Sequence, residues 1–208
     1  MSLRENQEKS LKAFENILTK ETVVRNIFLM SFFVMFFELL KHFVDKRLKE
    51  LYCEDNPNAK NDKTEYLETV RYRENVKILD KIIFIANIKW FQNQNALSAD
   101  EYKTIIDARE RRNVFVHNFF QSLTEGFSND DFSLLLALSS IYYKLDSWWN
   151  YHYELPDEVP DYEDIKQEDC RGSEAFALQI MFDALTRDDN KYVTMLEEIR
   201  SILKKGQQ

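Results

Sequence analysis

Glycine and proline are scarce in this chain, three of each in 208 residues. So few turn formers, with Leu, Lys, Glu, Phe and Tyr plentiful, favour helices joined by few turns. A glycine-rich phosphate loop is missing, which speaks against a motor driven by ATP or GTP. Neither a nucleophile elbow nor a hydrolase triad is present. The two cysteines, Cys53 and Cys170, stand alone in polar surroundings, with no second cysteine or histidine at zinc-ligand spacing beside either. A reducing, cytoplasmic setting is therefore expected, with no structural metal. The opening residues, MSLRENQEKSLKAF, lack the apolar stretch of a signal peptide.

A long membrane-grade run is also wanting. Ile27 to Phe37, IFLMSFFVMFF, is apolar over eleven residues, but Arg25 precedes it and Glu38 and Lys41 follow at once. A span needs about 20 such residues, so a buried helix is expected and no membrane partner.

Acidic charge is abundant and uneven. Between Glu154 and Asp169 eight acids face one base, Lys166, so this stretch carries −7 of the chain's net −8. The rest of the chain is nearly neutral. It has no broad basic footprint for nucleic acid, and nothing that forbids a local one. The acidic stretch, with Pro156 and Pro160, reads as a solvated linker.

Apolar residues recur at helical spacing throughout, and no stretch alternates cleanly with period two. The expected fold is all-α in a single domain, 1–208. A core at about 21–154 is followed by the acidic linker and C-terminal helices at about 155–205. Helices are expected near residues 2–18, 21–52, 64–90, from Ser98 onward, 130–153, 173–186 and 190–205. Ser98 opens its helix with the pattern Ser98-Ala-Asp-Glu101, a capping box in which each side chain satisfies an orphan amide.

That helix carries the segment ARERRNVFVHNFF, residues 108–120. At about 100° per residue, Ile105, Ala108, Phe115, Val116, Phe119 and Leu123 share one face, and Arg112 falls in its middle. A guanidinium in an apolar seam must meet an acid, a carbonyl or an anionic ligand. His117 lies about 140° round the helix from Arg112, with Arg109 and Asn113 nearer its own side. One straight helix does not aim Arg112 and His117 at the same atom. Either the helix bends near Asn113, or a second copy supplies the missing group across a two-fold axis.

The segment RNVFVH, Arg112 to His117, resembles the signature of the HEPN superfamily: an arginine, commonly followed by asparagine, then a histidine after four to six intervening residues. The resemblance covers the helical core and the place of the motif on a late core helix. It implies a HEPN-like bundle and metal-independent cleavage of RNA, without cofactor, by a homodimer whose motifs face each other. It also implies a toxin or antiviral setting in which an antitoxin or other defence protein is a partner. By the same resemblance His117 is the base or acid at the ribose 2′-hydroxyl, as suits a side chain that exchanges protons near neutral pH. Arg112 stabilises the phosphate, and Asn113 orients the histidine or the phosphate. Arg111 also fits the spacing; the Arg-Asn dipeptide and the helical wheel favour Arg112. One toxin branch of the family has a tyrosine two residues after the histidine, where this chain has Phe119. Some relatives only bind, so a non-catalytic helical module for a protein or nucleotide is the alternative.

Two further groups have a bland and a functional reading. Glu38 shares a stripe with Ser31, His42, Asp45 and Lys49, which reads as the wet side of a helix. The functional reading pairs Glu38 with Arg112 or makes it hold His117 in one tautomer. Glu38 and His42 alone are too few for a metal. The aromatics of SWWNYHY, Ser147 to Tyr153, read as core packing before base stacking.

Overall fold

The structure, a computed structural model, describes residues 3–57, 66–159 and 162–186. It is all-helical apart from one two-residue ladder. The chain opens with α1 (Leu3–Leu18), and after Thr19 in extended geometry enters α2 (Lys20–Tyr52), 33 residues without a glycine or proline to break them. Phe33, Phe36, Leu40, Val44 and Leu48 are fully buried along α2 at steps of three and four. This stripe is the axis of the core. By length and composition alone α2 could also cross a membrane.

The expected helix at 64–90 is broken in the structure, and residues 64 and 65 lie outside the described ones. Glu54–Asp55 (β1) pairs antiparallel with Tyr66–Leu67 (β2). Thr69 then starts the short α3 (Val70–Asn75), its hydroxyl accepting from the Tyr72 N–H at 3.2 Å. After a 3₁₀ turn at Lys77–Leu79, the Asp80 carboxylate accepts from the Ile82 N–H at 3.0 Å and starts α4 (Ile83–Asn93). Both breaks are side chains competing with the helix for backbone donors.

α5 (Ala99–His117) begins with the expected capping box: the Ser98 hydroxyl accepts from the Glu101 N–H at 3.2 Å, and the Glu101 carboxylate from the Ser98 N–H at 2.7 Å. α6 (Phe119–Glu125) follows, then α7 (Asn129–Trp149). Aromatic rings join these helices to α2. Phe33 meets Phe115 of α5 edge-on at 5.3 Å, Phe37 meets Phe84 of α4 at 5.3 Å, and Phe43 meets Tyr142 of α7 at 5.7 Å. Such pairs add about 0.5–1.5 kcal/mol each beyond the area they bury.

Two buried asparagines fix the far end of α6. Asn16 of α1 donates to the Thr124 carbonyl at 2.8 Å, and Asn26 of α2 accepts from the Phe127 N–H at 3.2 Å. Gly126 ends α6 at φ +80°, a conformation costly for other residues, and a Cβ there would meet the Asn16 amide at 2.8 Å.

Contacts divide the chain into two compact units, up to Leu145 and from Asp146. In the second, Trp148 and Trp149 are buried, and Trp149 stacks on Tyr153 at 4.4 Å. The acidic stretch, expected as a linker, forms short helical turns: α8 (Leu155–Glu158), with Pro156 in its first turn where no N–H is needed, and 3₁₀ turns at Tyr162–Asp164 and Gln167–Asp169. α9 (Ser173–Thr186) follows; the helix expected at 190–205 lies outside the described residues.

Candidate functional site

Burial of Ile105, Ala108 and Phe115 fixes the rotation of α5 about its axis. Arg111 and Arg112 then flank the buried line, on opposite sides of Phe115, because consecutive residues are about 100° apart. Their surroundings differ completely.

Arg111 donates from Nε and Nη2 to the two oxygens of Asp131 in α7, the second bond at 2.8 Å, and its guanidinium lies 4.4 Å from the centre of the Phe115 ring. The Asp131 side chain is only 6% exposed. It also accepts from the Ser128 N–H at 2.9 Å and the Ser128 hydroxyl at 2.8 Å. Burial would raise the Asp131 carboxyl, but Arg111 and Ser128 outweigh it and hold the group below the ordinary carboxylate value. This ion pair is part of the core.

Arg112 turns to α2. Its Nη2 donates to Glu38 Oε1 and its Nη1 to Asn113 Oδ1 at 3.2 Å, while its Nε is buried without a partner. Arg112 is 23% exposed and Glu38 39%, so this pair borders solvent. Glu38 Oε2 also faces Lys41 Nζ at 3.5 Å. The wet-stripe reading of Glu38 and its pairing with Arg112 therefore both hold.

His117 is the last residue of α5 and is exposed. Among the described residues no side-chain hydrogen bond joins it to Arg112, Asn113 or Glu38, nor does one engage the side chain of Arg109, which is half-buried. Asn118 leaves helical geometry, at φ −119° and ψ 37°, and α6 sets off on a new axis. This bend corrects the single face expected through residues 105–123. Val116 and Phe119, expected to be buried, are 44% and 42% exposed, and Phe120 is 72% exposed. Val116 lies in the last turn of α5, one residue before its end, and Phe119 belongs to the next helix.

Asp131 was not singled out from the sequence, although Ser128-Asn-Asp-Asp131 is itself a cap pattern that marks the acid. Asn87 was missed too. It is an amide inside IFIANI, an otherwise apolar stretch of α4, and it is buried.

Set against protein-family models, curated proteins and solved structures, the chain matches none. Its geometry and the Arg112-to-His117 motif therefore carry the functional reading.

Proposed function

We propose that the chain is a metal-independent endoribonuclease of the HEPN type, acting in the cytoplasm as a homodimer in a prokaryotic toxin or antiviral defence system. The observation that supports it best is the setting of His117. An exposed imidazole at a helix end is bracketed by exposed Val116, Phe119 and Phe120, an apolar rim of the kind that a second protein surface covers. Covering that rim with a second copy would enclose two histidines and two arginines in one cleft.

In that cleft His117 takes the proton of a ribose 2′-hydroxyl as its oxygen attacks the adjoining phosphorus. The bond from phosphorus to the 5′-oxygen breaks, and the departing oxygen gains a proton from the second copy's imidazolium or from water. The products are a 2′,3′-cyclic phosphate and a 5′-hydroxyl. Arg112, its plane set by Asn113 and Glu38, donates to the phosphate oxygens, where charge builds in the transition state. No step calls on a metal. The test is cleavage of RNA by the purified chain in excess EDTA, with mass analysis of the ends. A cyclic phosphate that forms in the parent and vanishes in His117→Ala supports the reading; cleavage that needs added magnesium opposes it.

One observation favours the second reading, a non-catalytic module for a partner protein or nucleotide. Arg112 is already neutralised by Glu38, so a phosphate must share or displace that carboxylate.

A further inference from the structure

Beyond Glu38 the same face of α2 continues through His42, Asp45 and Lys49, and opposite it α4 presents Phe84 and Asn87. These side chains line a cavity of about 350 Å³. That volume lies at the lower end of ligand pockets, roughly 300–1,000 Å³, and suits one nucleoside better than a longer ligand.

Asn87 is the unusual member. It is 1% exposed, and its Oδ1 is buried with no hydrogen-bond partner. The orientation of the amide follows from its neighbour. A carboxylate only accepts, so the amide nitrogen must face Asp45 Oδ1, which it does at 3.5 Å, while Asp45 Oδ2 is taken by Lys49 Nζ at 2.7 Å. The amide oxygen is left buried and without a donor, in a residue that lines the cavity. A buried acceptor without a donor is destabilising, and in a cavity wall it marks the place of a ligand's polar hydrogen.

We propose that this cavity holds one base of the RNA, next to the phosphate at Arg112, and selects adenine and cytosine, whose exocyclic amine stands where guanine and uracil carry a carbonyl. The inference rests on the ribonuclease reading for its ligand class. Glu38 supplies the continuity, because it lines the cavity and also accepts from Arg112. Asn87 Oδ1 and the Asp45 carboxylate are neighbouring acceptors, and an amine has two hydrogens to offer them. The amines of adenine and cytosine fit. The carbonyl that uracil carries in the same place would face two acceptors and be repelled. Phe84 and Ile83 give the ring an apolar wall.

The experiment titrates AMP, CMP and UMP separately into the full chain and follows the Asn87 side-chain amide and its neighbours by NMR. AMP and CMP are expected to shift these resonances and to bind on the order of tenfold more tightly than UMP, a preference that Asn87→Leu removes. Asn87→Leu should melt close to the parent, since removing a buried oxygen without a donor offsets the loss of the long contact to Asp45. Equal binding of the three nucleotides, no binding at millimolar concentration, or a large fall in the melting temperature of Asn87→Leu would each overturn the proposal. Selective binding in a chain that cuts no RNA would uphold the pocket and overturn only the cleavage reading.

Discussion

Arg111 grips Asp131 with two nitrogens in a nearly dry setting, while the next residue in the chain, Arg112, reaches the opposite way to a carboxylate that borders solvent. Adjacent arginines thus divide two roles that the sequence offers to either. The buried pair is held by geometry, by Ser128 and by the Phe115 ring, and its acid is almost fully enclosed. The outer pair can open toward a phosphate.

Stability should follow this division. Arg111→Ala strands a buried carboxylate and is expected to cost roughly 3 kcal/mol, the low end for breaking a buried pair because Arg111 itself is partly exposed. Arg112→Ala removes a half-exposed pair and should cost about 1 kcal/mol or less. Urea unfolding of the two variants checks the order, and equal losses would contradict it.

The acid limb of stability should trace in part to Asp131, alongside Glu101 and Asp80, whose carboxyls are also lowered. The folded-state carboxyl of Asp131 sits below the ordinary value of 3.8. A depressed acid contributes stability that is present above its unfolded value and is lost as pH falls through the folded one. The parent should therefore lose stability steadily below about pH 4, and Asp131→Asn, less stable at neutral pH, should show a flatter acid limb in the same unfolding series. An unchanged acid limb would assign that loss to other groups.

The helical class, the ends of α2 and the Ser98 cap were legible because each is written in local spacing: the apolar stripe of Phe33, Phe36 and Leu40, and Ser98 three residues before Glu101. The break at 76–82 was not. Val76, Ile78 and Leu79 continue an apolar helical pattern, and only the Asp80 carboxylate, which takes the Ile82 N–H, ends it. Around the candidate site, the sequence offered the Glu38–Arg112 pair that the structure forms, but not the Arg111–Asp131 pair. The wheel marked Arg112 as a charge that needed a partner, but the choice between Glu38 and Asp131 depends on how α2 and α7 pack against α5. The bend at Asn118 carries no glycine or proline to announce it. That is why Val116 and Phe119 read as core and prove to be surface.

Cleavage should fall by a factor on the order of 10² or more in both His117→Ala and Arg112→Ala, with circular dichroism unchanged. Arg111→Ala, assayed well below its lowered melting temperature, should lose much less. Glu38→Gln keeps an acceptor for Arg112 and should retain more activity than Glu38→Ala, since Glu38 positions the guanidinium without touching the reacting atoms. A His117→Ala protein that cuts at the parental rate would sink the enzymatic reading. Full loss of folding in Arg112→Ala would return that residue to a purely structural role.

Mixing two inactive variants measures whether one site needs two chains. Arg112 and His117 lie on opposite sides of α5 and share no bond, whereas the exposed rim of Val116, Phe119 and Phe120 offers a surface on which two copies could meet. If the site combines Arg112 of one copy with His117 of the other, then mixing inactive His117→Ala and inactive Arg112→Ala proteins creates heterodimers with one intact site each. Random exchange makes half of the dimers mixed, with one good site of two, so about a quarter of the parental activity should return. A site built within one chain regains nothing on mixing. Phe120→Glu gives the complementary reading. A charge on the rim should leave the monomer folded, shift sedimentation from dimer to monomer and abolish cleavage together with the dimer. A Phe120→Glu monomer that still cuts RNA, together with no recovery on mixing, would confine the chemistry to a single chain.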